Sequence, residues 1–259
     1  MKGYALITGA SSGIGWSLAT KLAQQGFDLL LTARSEDKLN ELGQLVASKH
    51  GVKAEYLPLD LSKEDAPAAV ADWCHRLKIS PVILINNAGY GLWGNFDALD
   101  LNEELNMHRL NTESLIKLTY LLLPRLKANP KSYILNVAST AAYQAVPTLA
   151  VYSATKAFVL IFSRGLRMEL KDSGVSVSCL CPGPTDTGFT KRAGMDAMAE
   201  VAEKFNMDAD EVAAIAIKDL FKGKAEIVPG LLNKLSVFGV RHLPKSLPER
   251  IAAKLYQKK

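Results

Sequence analysis

Six short, almost unbroken apolar runs divide this chain: YALIT, DLLLTA, AEYLPL, VILIN, SYILNV and VSVSCL. Longer segments of helical periodicity separate them, for instance residues 16–26, 36–50, 102–127 and 150–172. A strand that is apolar at every position is buried on both faces, and strands spaced by helices are joined by crossovers and so run parallel. The expected architecture is α/β, a doubly wound parallel sheet with helices on both faces, and 259 residues suit one domain of that kind. In such a sheet ligands bind beyond the carboxyl ends of the strands, so the residues that follow each apolar run matter most.

The first run leads into TGASSGIG, with glycines at Gly9, Gly13 and Gly15 and with Ser11, Ser12 and Ile14 between them. Glycines let the backbone turn tightly and approach a ligand, and the helix that follows presents unpaired N–H groups to a phosphate. This predicts a dinucleotide site. A site selecting NAD places an acid near the end of the second strand, whereas an arginine accommodates the 2′-phosphate of NADP. Here that strand ends in Ala33 and Arg34, which predicts NADP(H).

Tyr152 and Lys156 stand four residues apart in YSATK, on one face of a helix with small residues between them. Free tyrosine titrates near about 10. A nearby ammonium is expected to favour the phenolate and lower that value, which would make the pair a tuned proton donor.

The glycine spacing G-x-x-x-G-x-G, NNAG at positions 86–89, Asn111 in a long helix, Ser139 thirteen residues before Tyr152, YSATK, and PGPTDT at 182–187 occur in that order. Together they resemble the short-chain dehydrogenase/reductase family, over residues 1 to about 188. The resemblance implies a Rossmann-type fold with Ser139, Tyr152 and Lys156 as the chemical groups and Asn111 holding a water that connects Lys156 to solvent. It further implies that Asp60 binds the adenine with Leu61 beside it, that Asn86, Asn87, Ala88 and Gly89 line a ribose, and that Tyr152 and Lys156 contact the nicotinamide end. Thr187 would reach the carboxamide, with Pro182, Gly183 and Thr185 in the same motif. Many members carry two serines where this chain has Ala138 and Ser139.

In this family the segment after Gly188 covers the substrate, and Phe189, Met195, Met198, Phe205 and Met207 suit an apolar ketone or aldehyde. The same pattern also describes an amphipathic helix that simply packs. The chain divides into a cofactor-binding and catalytic core at 1–188, substrate loop and last core elements at 189–230, and a tail at 231–259.

The tail holds seven basic residues (Lys234, Arg241, Lys245, Arg250, Lys254, Lys258 and Lys259) against Glu249, so it exceeds the net charge of +5 and leaves the rest at −1. Basicity confined to a tail without interleaved aromatics gives no nucleic-acid-binding core. Two short helices are expected, broken near LPKSLP, with apolar stripes at Leu231, Leu235 and Phe238 and at Ile251 and Leu255. These stripes would pack on the body or on a partner subunit of a homo-oligomer, with peripheral membrane contact as the other reading.

Cys74, Cys179 and Cys181 read as reduced core thiols, the four histidines have no ligand spacing, and no metal is expected. Met1 leads into an apolar strand with no leader pattern, so a cytoplasmic protein is expected.

The reading that results is an NADP(H)-dependent oxidoreductase acting on a small carbonyl or alcohol substrate. Two rivals rank behind it. A nucleotide-sugar epimerase or dehydratase uses a Tyr and Lys at this spacing but usually has a larger substrate domain than the 71 residues after Gly188. A non-catalytic NADP-sensing module docked by the basic tail would leave the Ser, Tyr and Lys set unexplained.

Overall fold

The computed structural model of the protein describes residues 2–195 and 206–256. Its strands are β1 (Tyr4–Thr8), β2 (Asp28–Ala33), β3 (Ala54–Pro58), β4 (Ile83–Asn86), β5 (Ser132–Val137), β6 (Val175–Leu180) and β7 (Glu226–Ile227). All pair in parallel, in the order β3-β2-β1-β4-β5-β6-β7. The six apolar runs all form strands, and four keep the expected bounds. The seventh strand, two residues long, is too short to show a period.

Alternate residues of each strand serve opposite faces, as the pleat requires. Ile7, Leu29, Leu31, Ile85 and Leu135 pack against α1 (Gly13–Gln24), α2 (Glu36–His50) and α8 (Ala209–Phe221). Leu6, Leu30, Leu84, Ile134 and Val177 face α3 (Ala66–Arg76) and α5 (Ser114–Lys127), with α6 (Ala150–Glu169) beside them against β5 and β6. Both faces are therefore covered.

The long helix expected over 102–127 is divided. It runs as α4 (Leu101–His108), one π-helical turn (Arg109–Glu113) and α5. The wider turn inserts an extra residue into the ladder, and such bulges gather at functional sites. It carries Asn111, buried at 2% exposure.

Strand order reverses between β1 and β4, so the loops after them diverge and leave a crevice at their carboxyl ends. Thr8 closes its floor. Its Oγ1 donates to Ile85 O at 3.3 Å and accepts from the N–H groups of Asn87 and Ala88, both at 2.9 Å.

Beyond the short α7 (Phe189–Arg192), the tail forms the two expected helices, α9 (Leu231–His242) and α10 (Ser246–Tyr256). Of the placements expected for their apolar stripes, packing on the body does not occur. Val237, Pro248 and Ala252 turn inward and are buried, whereas Leu231, Leu235, Phe238, Ile251 and Leu255 point outward. Lys258 and Lys259 lie outside the described residues.

Candidate active site

The glycine turn performs two jobs. Gly9 and Gly13 adopt φ of 66° and 53°, a left-handed conformation that side chains resist. Gly15 lets α1 press on the first turn, since a Cβ there would collide with the carbonyl oxygen of Gly9 and sit 2.5 Å from Asn87 Nδ2. Asn87 Nδ2 itself donates to the oxygens of Thr8 and Gly9 at 2.9 and 3.2 Å. Asn87 is thus a brace of the loop.

Ser11 leads to Ser12, the N-cap residue of α1, whose side chain caps nothing, and Ile14 packs at the edge of the core. The first turn of α1 holds no acid. Free helix N–H groups with no carboxylate before them attract an anion, so the residues present fit a phosphate.

Arg34 follows the end of β2 and is exposed. Asp60 lies near it: burial would raise that carboxyl, but hydrogen bonds from Ser62 N and Oγ, with Arg34 and Lys63 nearby, hold it below its usual range. Leu61 next to it is buried among α3 and the sheet. Arg192, from α7, stacks its guanidinium 4.2 Å from the Tyr90 ring centroid. Burial and the charge of Arg34 both depress its pKa. Among the described residues neither arginine has a carboxylate within 4.0 Å. Two guanidinium groups in one neighbourhood, with Asp60 near but in no ion pair with either, are a fitting donor set for a phosphate.

The chemical groups meet where β5 ends and α6 begins its second turn. Ser139 Oγ accepts from Ala141 N at 3.1 Å and caps the 3-10 turn Thr140–Tyr143. Tyr152 is 7% exposed and Lys156 is 5% exposed. Lys156 Nζ lies 5.8 Å from the Tyr152 ring centroid and donates to Val137 O at 3.0 Å.

The expectation that Lys156 lowers the phenol is corrected. Burial pushes Tyr152 up to about 12, a hydrogen bond with Ser139 pulls the other way, and Tyr256 adds to the rise. The ammonium faces the ring and a carbonyl oxygen, and burial lowers its own pKa to about 8.

Asn86 takes a role other than the one expected, and the Asn111 side chain is bonded within the protein. Asn86 Nδ2 donates to Asn136 Oδ1 at 2.8 Å and Thr119 Oγ1 at 3.0 Å, which places its side chain in the interior and not along a ribose. Asn111 Oδ1 accepts from Tyr90 N at 3.1 Å, while Nδ2 donates to Tyr90 O at 2.9 Å and Thr155 Oγ1 at 3.1 Å. Both Nδ2 hydrogens are spent on protein, so in this structure Asn111 holds Tyr90 and the π turn in place. It does reach the site. A Cβ on Gly89 would lie 2.8 Å from Asn111 Oδ1 and 3.3 Å from Lys156 Nζ.

The PGPTDT loop closes the crevice. Pro182 O accepts from Thr140 N at 2.8 Å, tying the loop to the serine. Gly183 leaves no room for a Cβ against the Asn233 side chain, and Thr185 bridges to Met207. A Cβ on Gly13 would meet Thr187 Cγ2 at 2.8 Å, so Thr187 lies over the phosphate turn.

Of the proposed substrate contacts, Phe189 packs on Tyr152 at 5.4 Å between ring centroids and Met195 joins the same apolar cluster. Met207 does not. It sits under Gly230 with Asn233 Nδ2 at 3.6 Å from its sulfur. Met198 and Phe205 lie outside the described residues.

Sequence reasoning missed Tyr90, Trp93, Arg192 and Tyr256. Tyr90 directly follows NNAG and Arg192 lies just past PGPTDT, so distance from those motifs was a usable signal. Tyr256 had none.

A sequence profile described as short chain dehydrogenase matches residues 3–198. The chain is 35% identical over 192 residues to a Danio rerio very-long-chain 3-oxoacyl-CoA reductase-A, covering 73% of this chain and 60% of that protein. It is 29% identical over 234 residues to a Mus musculus 17-beta-hydroxysteroid dehydrogenase type 3, covering 90% and 76%. The chain therefore spans about 60% of the length of the first of these relatives. Among solved structures, a short-chain dehydrogenase from Sphingobium yanoikuyae in complex with NADPH aligns with a TM-score of 0.82 at 33% identity, over 92% of this chain and 93% of the other.

Proposed function

The chain belongs to the short chain dehydrogenase family, and on that premise we propose that it is an NADP(H)-dependent oxidoreductase interconverting a carbonyl and an alcohol on a largely apolar small molecule. One observation carries the reading. Ser139 lies close enough to Tyr152 to draw its pKa down against burial, Lys156 stands one turn away, and the three gather at the strand ends that also hold the glycine turn.

Bound NADPH would supply the hydride that reaches the carbonyl carbon. Tyr152 gives its phenolic proton to the carbonyl oxygen, and the Ser139 hydroxyl donates to that same oxygen as negative charge grows on it. With its pKa at about 12, the phenol carries its proton at neutral pH, as a donor to the carbonyl oxygen must. Lys156, at about 8, remains an ammonium there and faces the phenolate left after transfer. Arg34 and Arg192 together support the preference for a 2′-phosphate.

The wall around Tyr152 is apolar: Tyr90, Trp93, Val146, Leu149 and Met195 are buried beside it. The relatives are named for a very-long-chain 3-oxoacyl-CoA and for a hydroxysteroid, each an oxygen function on a long apolar body. We assign this chain a substrate of that class.

The deciding experiment follows NADPH consumption against short ketones, long-chain 3-oxoacyl thioesters and ketosteroids. Apolar members should be reduced, and Tyr152→Phe should lose at least about a hundredfold in kcat while still binding NADPH. Undiminished turnover by that variant, or tight NADPH binding with every carbonyl untouched, would overturn the proposal.

A further inference from the structure

Two helices at the end of the described chain expose an apolar surface that no described segment covers. Leu231, Leu232, Leu235 and Phe238 of α9 are 71, 71, 59 and 62% exposed. On α10, Leu247, Ile251 and Leu255 are 46, 58 and 49% exposed and recur every fourth residue, which aligns them in one stripe. Inward, Val237, Pro248 and Ala252 anchor the pair to the body. Exposed apolar stripes of this length on two successive helices mark an interaction site.

Charge selects the partner. Lys245 and Arg250 are exposed near these stripes, Lys254 lies beside Ile251 and Leu255 on the same side of α10, and Lys234 is exposed on α9. Arg241 is already committed to Glu226 at 2.7 Å. Residues 231–259 carry seven basic groups against Glu249. A second copy meeting this face would bring the same positive charge against it, which repels. An anionic lipid surface instead satisfies both the apolar stripes and the cations beside them.

We propose that α9 and α10 dock the protein on an anionic lipid surface, with Leu231, Leu235, Phe238, Ile251 and Leu255 seated among the acyl chains and Lys234, Lys245, Arg250 and Lys254 at the headgroup phosphates. Among the described residues no helix is long and apolar enough to cross a membrane, so the pair lies on the surface. The inner face of α10 also packs Ala252 and Tyr256 into the cluster that holds Tyr152. The lipid-bound helix is thus a wall of the catalytic site, a placement that suits an apolar substrate arriving from a membrane.

The test is flotation of the full chain with vesicles of phosphatidylcholine, with and without phosphatidylglycerol. Binding to the anionic vesicles, weakened by salt, is expected. Arg250→Gln and Lys254→Gln should each lower partitioning about fivefold. Phe238→Ser with Ile251→Ser should lower it at least tenfold, with the thermal melt and NADPH affinity retained as proof of folding. Absence of binding to either vesicle overturns the proposal. So does light scattering that shows a dimer which the Phe238→Ser, Ile251→Ser variant separates, since the face would then join two copies.

Discussion

The indole of Trp93 donates its Nε1–H to the main-chain oxygen of Tyr256 at 2.9 Å, joining residues 163 positions apart. Thr148 Oγ1 donates to the same oxygen at 3.0 Å. These two bonds fasten the last described turn of α10 over the cluster around Tyr152, so α10 acts as a clasp on the site. Trp93→Phe keeps an aromatic ring and removes one donor. A net hydrogen bond of roughly 0.5 to 1.5 kcal/mol corresponds to a few-fold to tenfold looser clasp. KM for an apolar ketone should rise by about that factor, NADPH affinity should hold, and proteolysis within α10 should accelerate. An unchanged KM would show that α10 does not bound the substrate site.

The guanidinium groups of Arg34 and Arg192, neither of them within 4.0 Å of a carboxylate among the described residues, predict how the cofactors are told apart. Arg34→Ala should raise the NADPH dissociation constant about ten- to a hundredfold, with NADH nearly unaffected, because only the 2′-phosphate is lost as a partner. Arg192→Ala should cost NADPH less, on the order of tenfold, since it also stacks on Tyr90. Titrations monitored by NADPH fluorescence at low and high salt measure both. Equal losses for NADPH and NADH would place these arginines elsewhere on the dinucleotide.

The sheet was legible because its strands are apolar on both faces, and the phosphate turn because three glycines mark the first strand-to-helix junction. The catalytic set was legible from YSATK and the spacing to Ser139. What escaped depends on distant packing. The π turn at Arg109–Glu113 has no local signal, being stabilised by Asn111 reaching Tyr90 and Thr155. The direction of the Tyr152 shift was misjudged because spacing puts Lys156 near the ring, while burial, which spacing does not show, dominates. That the tail's stripes do not pack on the body was not legible, for a related reason. Its longest apolar side chains look like core, yet smaller Val237 and Ala252 make the contact.

Gly15 offers a stability test that leaves Ser139, Tyr152 and Lys156 in place. A methyl group there would overlap the Gly9 oxygen and crowd Asn87 Nδ2 at 2.5 Å, and both belong to the braced floor of the crevice. Neither neighbour is the end of a flexible chain, so the backbone must shift. Gly15→Ala should therefore destabilise the protein by roughly 2 kcal/mol or more and weaken NADPH binding with it. Gly26→Ala is the control. It has no atom within 4 Å of its added Cβ, and its φ of 80° leaves only backbone strain. Thermal melts of the two separate crowding from backbone strain, and equal losses would refute the crowding argument.

Lys156 shows the conflict between stability and chemistry most sharply. The residue is 5% exposed, and its ammonium donates to Val137 O at 3.0 Å and has its pKa drawn by burial to about 8 from 10.5. At neutral pH both the folded and the unfolded protein carry this charge, and burial makes it unfavourable only in the folded one. Lys156→Met should therefore abolish turnover and yet stabilise the cofactor-free protein at pH 7 by about 1 to 3 kcal/mol, after allowance for the lost bond. The sign follows from linkage. Between pH 8 and 10.5 the folded wild type sheds the proton while the unfolded chain retains it, so the wild type recovers stability as pH rises through that window. The gap between variant and wild type should be widest at or below pH 8 and should narrow toward pH 10 in parallel melts. A variant that melts below wild type at pH 7 would mean that the bond to Val137 outweighs the burial of the charge, and that the lysine is a structural tie as well as a chemical one.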